Sequence, residues 1–197
     1  MKNLCILLTI FLFGNFACVR VKKESHSLTI YNQSESKMFP YIISNGKLGT
    51  ISVGERIDST LKNLETLFII KKDSIPSCEG CTTYDYVTQV RSKESNKFLF
   101  SIEPGVEENN RDKIFRMTTS YDLFQTDKSI KIGMTIKEVK QKYEILNVDS
   151  GGETGLHIII KDFNGSFGIE IPNDNNWWFY KPSTIPDSLR ITEIIIT

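Results

Sequence analysis

The sequence has few of the residues that catalytic and metal sites most often use. It contains two histidines, His26 and His157, and four cysteines, with a single C-x-x-C at Cys78 and Cys81. A structural zinc site needs about four ligands, and neither a second cysteine pair nor a histidine cluster supplies them. The G-x-S-x-G, H-E-x-x-H and phosphate-loop motifs are also absent. We therefore expect no metal and no cofactor, and the case for an enzyme is weak.

Neither sign of charge is in excess, and no apolar run is long. The 24 Lys and Arg residues balance 24 Asp and Glu residues. Surfaces that bind nucleic acid are strongly basic, so this balance argues against a nucleic-acid partner. The apolar run from Leu4 to Phe13 is about half as long as the roughly 20 residues that a membrane-spanning helix needs. We therefore favour a signal segment over a membrane span.

The start of the chain has the layout of a secretory signal peptide. Lys2 gives a positive start, the apolar run follows, and Ala17 and Cys18 come after that run. A second interpretation stays open, because cysteine in an apolar segment is often simply a small hydrophobic residue. In that case Cys5 and Cys18 would have no role beyond packing.

The stretch from Lys2 to Cys18 resembles a bacterial lipoprotein signal peptide, in which a small residue directly precedes the cysteine. The resemblance implies that residues 1–17 are removed and that the sulfur of Cys18 carries a diacylglycerol. Residues 18–27 would then be the membrane anchor and a polar spacer. Because Val19 rather than Asp follows the cysteine, the resemblance implies a cell-envelope protein at the outer membrane. The alternative is ordinary cleavage, which would release a secreted soluble protein.

Residues 28–197 are long enough for a single domain with a substantial core. Runs of β-branched and aromatic residues predict strands at 28–31, 39–44, 67–71, 84–91, 98–103, 114–120, 156–162, 167–171 and 191–197. Asp162 to Gly165 supply turn residues between two of these runs and predict a hairpin. The expected fold is α+β, with a predominantly antiparallel sheet.

Two short helices complete the prediction. Thr135 and Glu138 form a T-x-x-E capping box, which marks the start of one helix. Ile57, Leu61 and Leu64 are spaced so that they share one face of the other.

The segments before these helices, ISVGERI at 51–57 and IKIGMTI at 130–136, also resemble each other. They suggest two pseudo-repeated halves, 28–103 and 112–197, although strand-glycine-helix junctions also recur by chance.

The C-x-x-C and the second histidine each allow a catalytic and a structural interpretation. Thiol exchange favours a first cysteine at a helix N-terminus, whereas Cys78 and Cys81 lie in a loop that runs into a predicted strand. We therefore favour a disulfide between Cys78 and Cys81. The lipoprotein resemblance implies that Cys5 is removed and Cys18 acylated, which leaves these two cysteines to pair. His157 lies among apolar neighbours, where a structural role is favoured over catalysis.

The densest aromatic cluster is Trp177, Trp178 and Tyr180, with Phe179 between them. Exposed aromatic side chains of this kind bind sugar rings or protein partners, and the alternative is that they pack into the core. The expected function is a membrane-anchored lipoprotein that acts as a non-catalytic binding or assembly module for an envelope protein or a glycan. The alternative is an envelope enzyme, either a thiol oxidoreductase at the C-x-x-C or a hydrolase that uses His157.

Overall fold

The computed structural model describes residues 39–76, 84–150, 155–172 and 176–197. These residues contain two helices, α1 (Ile57–Leu64) and α2 (Ile136–Lys140), and a 3₁₀ helix (Trp177–Phe179). They also contain twelve strands: β1 (Ile42–Ser44), β2 (Lys47–Leu48), β3 (Ile51–Ser52), β4 (Phe68–Pro76), β5 (Tyr84–Ser92), β6 (Phe98–Pro104), β7 (Ile114–Thr119), β8 (Gln125–Thr126), β9 (Ile145–Asp149), β10 (Leu156–Ile160), β11 (Gly165–Ile169) and β12 (Ile191–Ile196).

Eight of the strands form one sheet in the order β4-β5-β6-β7-β12-β11-β10-β9. All neighbours in this sheet are antiparallel. The other four form a small sheet in the order β3-β2-β1-β8, in which β1 and β8 are parallel. The prediction of an α+β fold dominated by antiparallel sheet is confirmed.

The core lies on one face of the large sheet. In β12 the buried residues Ile194 and Ile196 alternate with Glu193 and Ile195, as expected for a strand with one face against the core. Both helices contribute buried side chains to the same cluster, and so do the small sheet and a group of phenylalanines. In that group the ring of Phe100 stacks on that of Phe39 and meets that of Phe124 edge to face. One face of the sheet is therefore covered.

Local sequence patterns predicted several of the elements correctly. The hairpin around Asp162 to Gly165 is present as β10 and β11, and α1 follows the predicted apolar spacing. The capping box is also confirmed, because Thr135 and Glu138 exchange both of its hydrogen bonds. Hydrogen bonds from the Thr135 backbone and side chain hold the pKa of Glu138 below its ordinary value. The predicted strand at 28–31 lies outside the described residues.

One arrangement occurs twice in the chain: a helix followed by four strands of the large sheet that are consecutive in sequence. The first copy is α1 with β4 to β7, and the second is α2 with β9 to β12. Gly54 and Gly133 precede the two helices with φ of 86° and 85°. Each donates its backbone N–H over 2.8 Å to the first residue of its last strand, Ile114 or Ile191. This order groups β7 with β4, β5 and β6, so the sheet divides after β7. Origin by duplication stays a prediction.

Candidate functional site

The face of the large sheet that points away from the core is hollow. A cavity of about 660 Å³ lies on it. Every described residue that lines this cavity is on a strand of the large sheet or directly follows one, from β5 to β7 and from β9 to β12. We call this cavity the trough.

The floor of the trough is a row of residues in register across five strands. Ile159 is opposite Ser166, Ser166 opposite Ile195, Ile195 opposite Thr118, and Thr118 opposite Ser101. Adjacent strands are about 4.8 Å apart, so this middle row is about 19 Å long. Its side chains are aliphatic or carry a hydroxyl group, so the floor offers both apolar surface and hydrogen bonds.

One end of the trough is acidic. His157 is directly opposite Asp149 on one side and Gly168 on the other, and Gly168 is in turn opposite Glu193. His157 is 7% exposed. A Cβ added to Gly168 would overlap Cγ of Glu193 and lie 2.8 Å from its Oε1. The glycine therefore leaves the space in which the Glu193 side chain lies, over β11 and towards His157. We call Asp149, His157 and Glu193 the acidic end.

The two carboxylates of the acidic end are not neutralised by other described residues. The salt bridges found among these residues involve neither Asp149 nor Glu193. Two carboxylates that line the trough without a positive counterpart among the described residues favour a positively charged ligand over a negative one.

The opposite end of the trough combines an ion pair with apolar surface. Arg116 on β7 is opposite Glu103 on β6 and donates through Nε to its carboxylate at 2.9 Å. Tyr86 is 69% exposed and Phe115 55%, and Val106 is also exposed. A second cavity of about 450 Å³ is lined by these residues and shares Glu103, Phe115 and Arg116 with the trough. We call Tyr86, Val106 and Phe115 the apolar end.

The fold brings His157 together with polar residues that are distant in sequence. Asp149 on β9 is directly opposite His157. Ser166 on β11 is opposite Ile159 and is therefore a diagonal neighbour of His157. A carboxylate, an imidazole and a hydroxyl therefore occupy three adjacent strands. The hydrolase hypothesis stays a prediction, and the sharper observation is that His157 lies inside the trough.

The aromatic cluster is divided between core and surface. Trp177 and Tyr180 pack partly against the core, whereas Trp178 is 48% exposed and Phe179 77%. The indole rings of Trp177 and Trp178 stack with their centroids 3.8 Å apart. The hydroxyl of Ser150, the residue after β9, donates to the backbone oxygen of Trp178 at 3.3 Å. The cluster therefore lies beside the sheet edge that carries the acidic end.

The remaining predicted site residues lie outside the described part of the chain. This applies to Cys18 and to the cysteines at 78 and 81, which fall in the connection between β4 and β5. Where side chains are described, no three or more His, Cys, Asp and Glu residues are grouped so that they could hold a metal ion. No helix in those same ranges is long and apolar enough to cross a membrane.

Sequence reasoning missed most of the trough. The charged residues Glu103, Arg116, Asp149 and Glu193 were not singled out. The signal that could have found Glu193 is the alternation in ITEIIIT, which places it on the opposite face from Ile194 and Ile196. Which strands lie side by side cannot be read from such a run.

Comparisons with known proteins extend the description of the fold only. In sequence, the chain matches no protein family and no curated protein. A solved structure with a similar fold is the uncharacterized protein yfeY from Escherichia coli, with a TM-score of 0.50 and 12% sequence identity. The likeness covers 78% of this chain and 95% of that chain. At this identity the chain is similar to yfeY in fold alone.

Proposed function

We propose that this protein is a membrane-anchored binding module of the bacterial cell envelope, without catalysis of its own, and that the trough is its binding surface. The observation that carries the proposal is the asymmetry of the large sheet. One face is covered by helices, the small sheet and the phenylalanine group, whereas the other is a hollow built from strand residues. A sheet face of this kind is available to a ligand.

The size and composition of the trough favour a binding role. Its volume of about 660 Å³ falls within the range of about 300–1,000 Å³ that is usual for ligand pockets. The adjoining apolar end adds exposed Tyr86 and Phe115 beside Arg116. Tyrosine, phenylalanine and arginine are enriched at protein interfaces, so a protein partner is favoured over a small molecule. The exposed rings of Trp178 and Phe179 lie beside the β9 edge of the sheet and are a second candidate contact surface.

The anchor and the cysteine pair are parts of the same proposal. A diacylglycerol on Cys18 would supply two acyl chains, which is what durable membrane attachment needs. The polar spacer that follows has nine residues, 19–27, and reaches at most about 30 Å when extended. The trough would therefore work close to the membrane. A disulfide between Cys78 and Cys81 would close a tight loop within the segment that connects β4 and β5.

Thr118→Arg is expected to reduce co-purification of an envelope protein partner at least tenfold. Thr118 is half-buried on the middle row, beside its central residue Ile195, and an arginine there would fill the trough while its charged group reaches solvent. Chemical crosslinking in intact cells followed by purification measures the loss, and circular dichroism checks that the variant folds.

Asn63→Arg is the matched control, because Asn63 is exposed on α1 and the substitution adds the same side chain away from the trough. Equal recovery of partners with Thr118→Arg and with the unchanged protein would contradict the proposal.

A further inference from the structure

We infer that the acidic end of the trough receives a lysine or arginine side chain of a protein partner. The inference rests on the proposed function and adds the chemistry of the partner. It is carried by the charges that line the trough, by the position of the Glu193 side chain, and by the continuity of the acidic end with the apolar end.

The charges that line the trough are mostly negative. Among the described residues that line it, the charged ones are Glu103, Asp149 and Glu193 on one side and Arg116 on the other. Arg116 is already paired with Glu103, so within the described ranges no salt bridge supplies a counter-charge to the two carboxylates of the acidic end. A surface complementary to this end carries positive charge, since opposite potentials across an interface favour association and like charges oppose it.

The geometry of the acidic end suits a group that donates several hydrogen bonds. Glu193 lies over Gly168, towards His157, and Asp149 is directly opposite His157 on the other side. Residues directly opposite on antiparallel strands have Cβ atoms about 5 Å apart. A lysine ammonium has three donors and an arginine guanidinium five, so either can bind the Glu193 carboxylate where it lies over Gly168. Asp149 on β9 is three strands away from Glu193 on β12 and adds negative charge on the far side of His157.

The rest of the trough favours a polypeptide over a free amine. A free amine would occupy the acidic end and leave the middle row and the apolar end uncovered. His157 on β10 and Phe115 on β7 are separated by three strand spacings and about four residues along the strands, which gives a diagonal of about 19 Å. An extended chain covers that distance in about six residues. The partner segment would therefore carry a basic side chain about six residues from an apolar one.

A titration with two synthetic peptides tests this inference. The peptides are acetyl-FTSTSSK-amide and acetyl-FTSTSSE-amide, which differ in the charge of the last side chain. The readout is the imidazole NMR signal of His157 at 0.15 M salt, in a chain that also carries His26→Gln so that one histidine signal remains. We expect a saturable shift with the lysine peptide and binding at least tenfold weaker with the glutamate peptide.

Variants of the acidic end separate a specific site from general attraction. The pair Asp149→Asn with Glu193→Gln is expected to weaken binding of the lysine peptide at least tenfold. The matched control, Asp58→Asn with Glu65→Gln, makes the same change of charge on exposed residues of α1 and its C-cap, and should leave binding within twofold. If both pairs of substitutions weaken binding of the lysine peptide equally, the attraction is a general electrostatic effect and the inference is wrong.

Gly168→Ala gives an independent test that keeps every charge. The new Cβ would displace the Glu193 side chain, so binding of the lysine peptide should again weaken, by about threefold to tenfold. Equal affinity for both peptides, or no shift with millimolar lysine peptide, would overturn the inference. If Thr118→Arg removes the cellular partner while the Asp149→Asn, Glu193→Gln pair retains it, the trough is the binding surface and the inferred basic side chain is wrong.

Discussion

Replacing Gly165 with alanine is expected to lower the free energy of unfolding by about 3 kcal/mol. Gly165 begins β11 with φ of 147°, a conformation that residues with a Cβ rarely adopt. A Cβ there would overlap the backbone oxygen of Ile195 and lie 2.9 Å from its carbonyl carbon. These are backbone atoms of β12, the neighbouring strand in the sheet, so the strands must separate locally. Urea unfolding followed by circular dichroism measures the loss.

Gly46→Ala is the matched control for this prediction. Gly46 has a positive φ of 69°, but a Cβ there meets no atom within 4 Å. Its expected cost is the conformational strain alone, about 1 kcal/mol. If Gly165→Ala lowers the free energy of unfolding no more than Gly46→Ala does, β11 and β12 do not approach as closely as described.

Replacing Cys18 with alanine is expected to move the protein from the membrane fraction to the soluble fraction almost completely. Each buried methylene of an acyl chain contributes about 0.8 kcal/mol to membrane attachment, so loss of two chains removes the anchor. Fractionation of cells measures the distribution, and the intact mass of the purified protein shows whether a diacylglyceryl group is attached.

Cys5→Ala is the control for the anchor, because the lipoprotein resemblance places Cys5 in the segment that is removed. It should leave the protein in the membrane fraction with an unchanged mature mass. A Cys18→Ala protein that stays in the membrane fraction with an uncleaved amino-terminal segment would refute the proposed anchor.

The two halves of the sheet place different side chains at equivalent positions. Arg116 and Glu193 are each the third residue of the last strand in their half. Arg116 is opposite Glu103 and forms an ion pair with it, whereas Glu193 is opposite Gly168 and lies over that glycine. One backbone arrangement thus carries an ion pair in the first half and, in the second, a carboxylate that forms no salt bridge with any described residue. This difference gives the trough its two ends.

Local pattern was enough to predict most of the large sheet. Ile194 and Ile196 in β12, the turn before Gly165, and the capping box at Thr135 are all decided by residues close in sequence. The strand β9 was not among the predicted runs because it lies at the sheet edge with most of its side chains exposed, so its apolar signal is weak. The two-residue strands of the small sheet are too short to give a periodic signal.

The candidate site depended on register, which the sequence does not reveal. His157 was singled out, but its neighbours come from two other strands. Asp149 is opposite it through the pairing of β9 with β10, whereas Glu193 comes near it only across β11. The role of Gly168 is likewise invisible without Glu193 lying above it. The aromatic cluster was recognised as a unit, whereas its division into packed and exposed rings depends on the 3₁₀ helix that carries it.

Photo-crosslinking in living cells tests the trough as the binding surface most directly. A photo-reactive residue is placed at Ser166 or Ile195 on the middle row, or at Asn63 on α1 as the control position. We expect both trough positions to form the same covalent adduct with one envelope protein, Thr118→Arg to suppress it, and position 63 to form none. Adducts from position 63 with none from either trough position would contradict the assignment of binding to this face of the sheet.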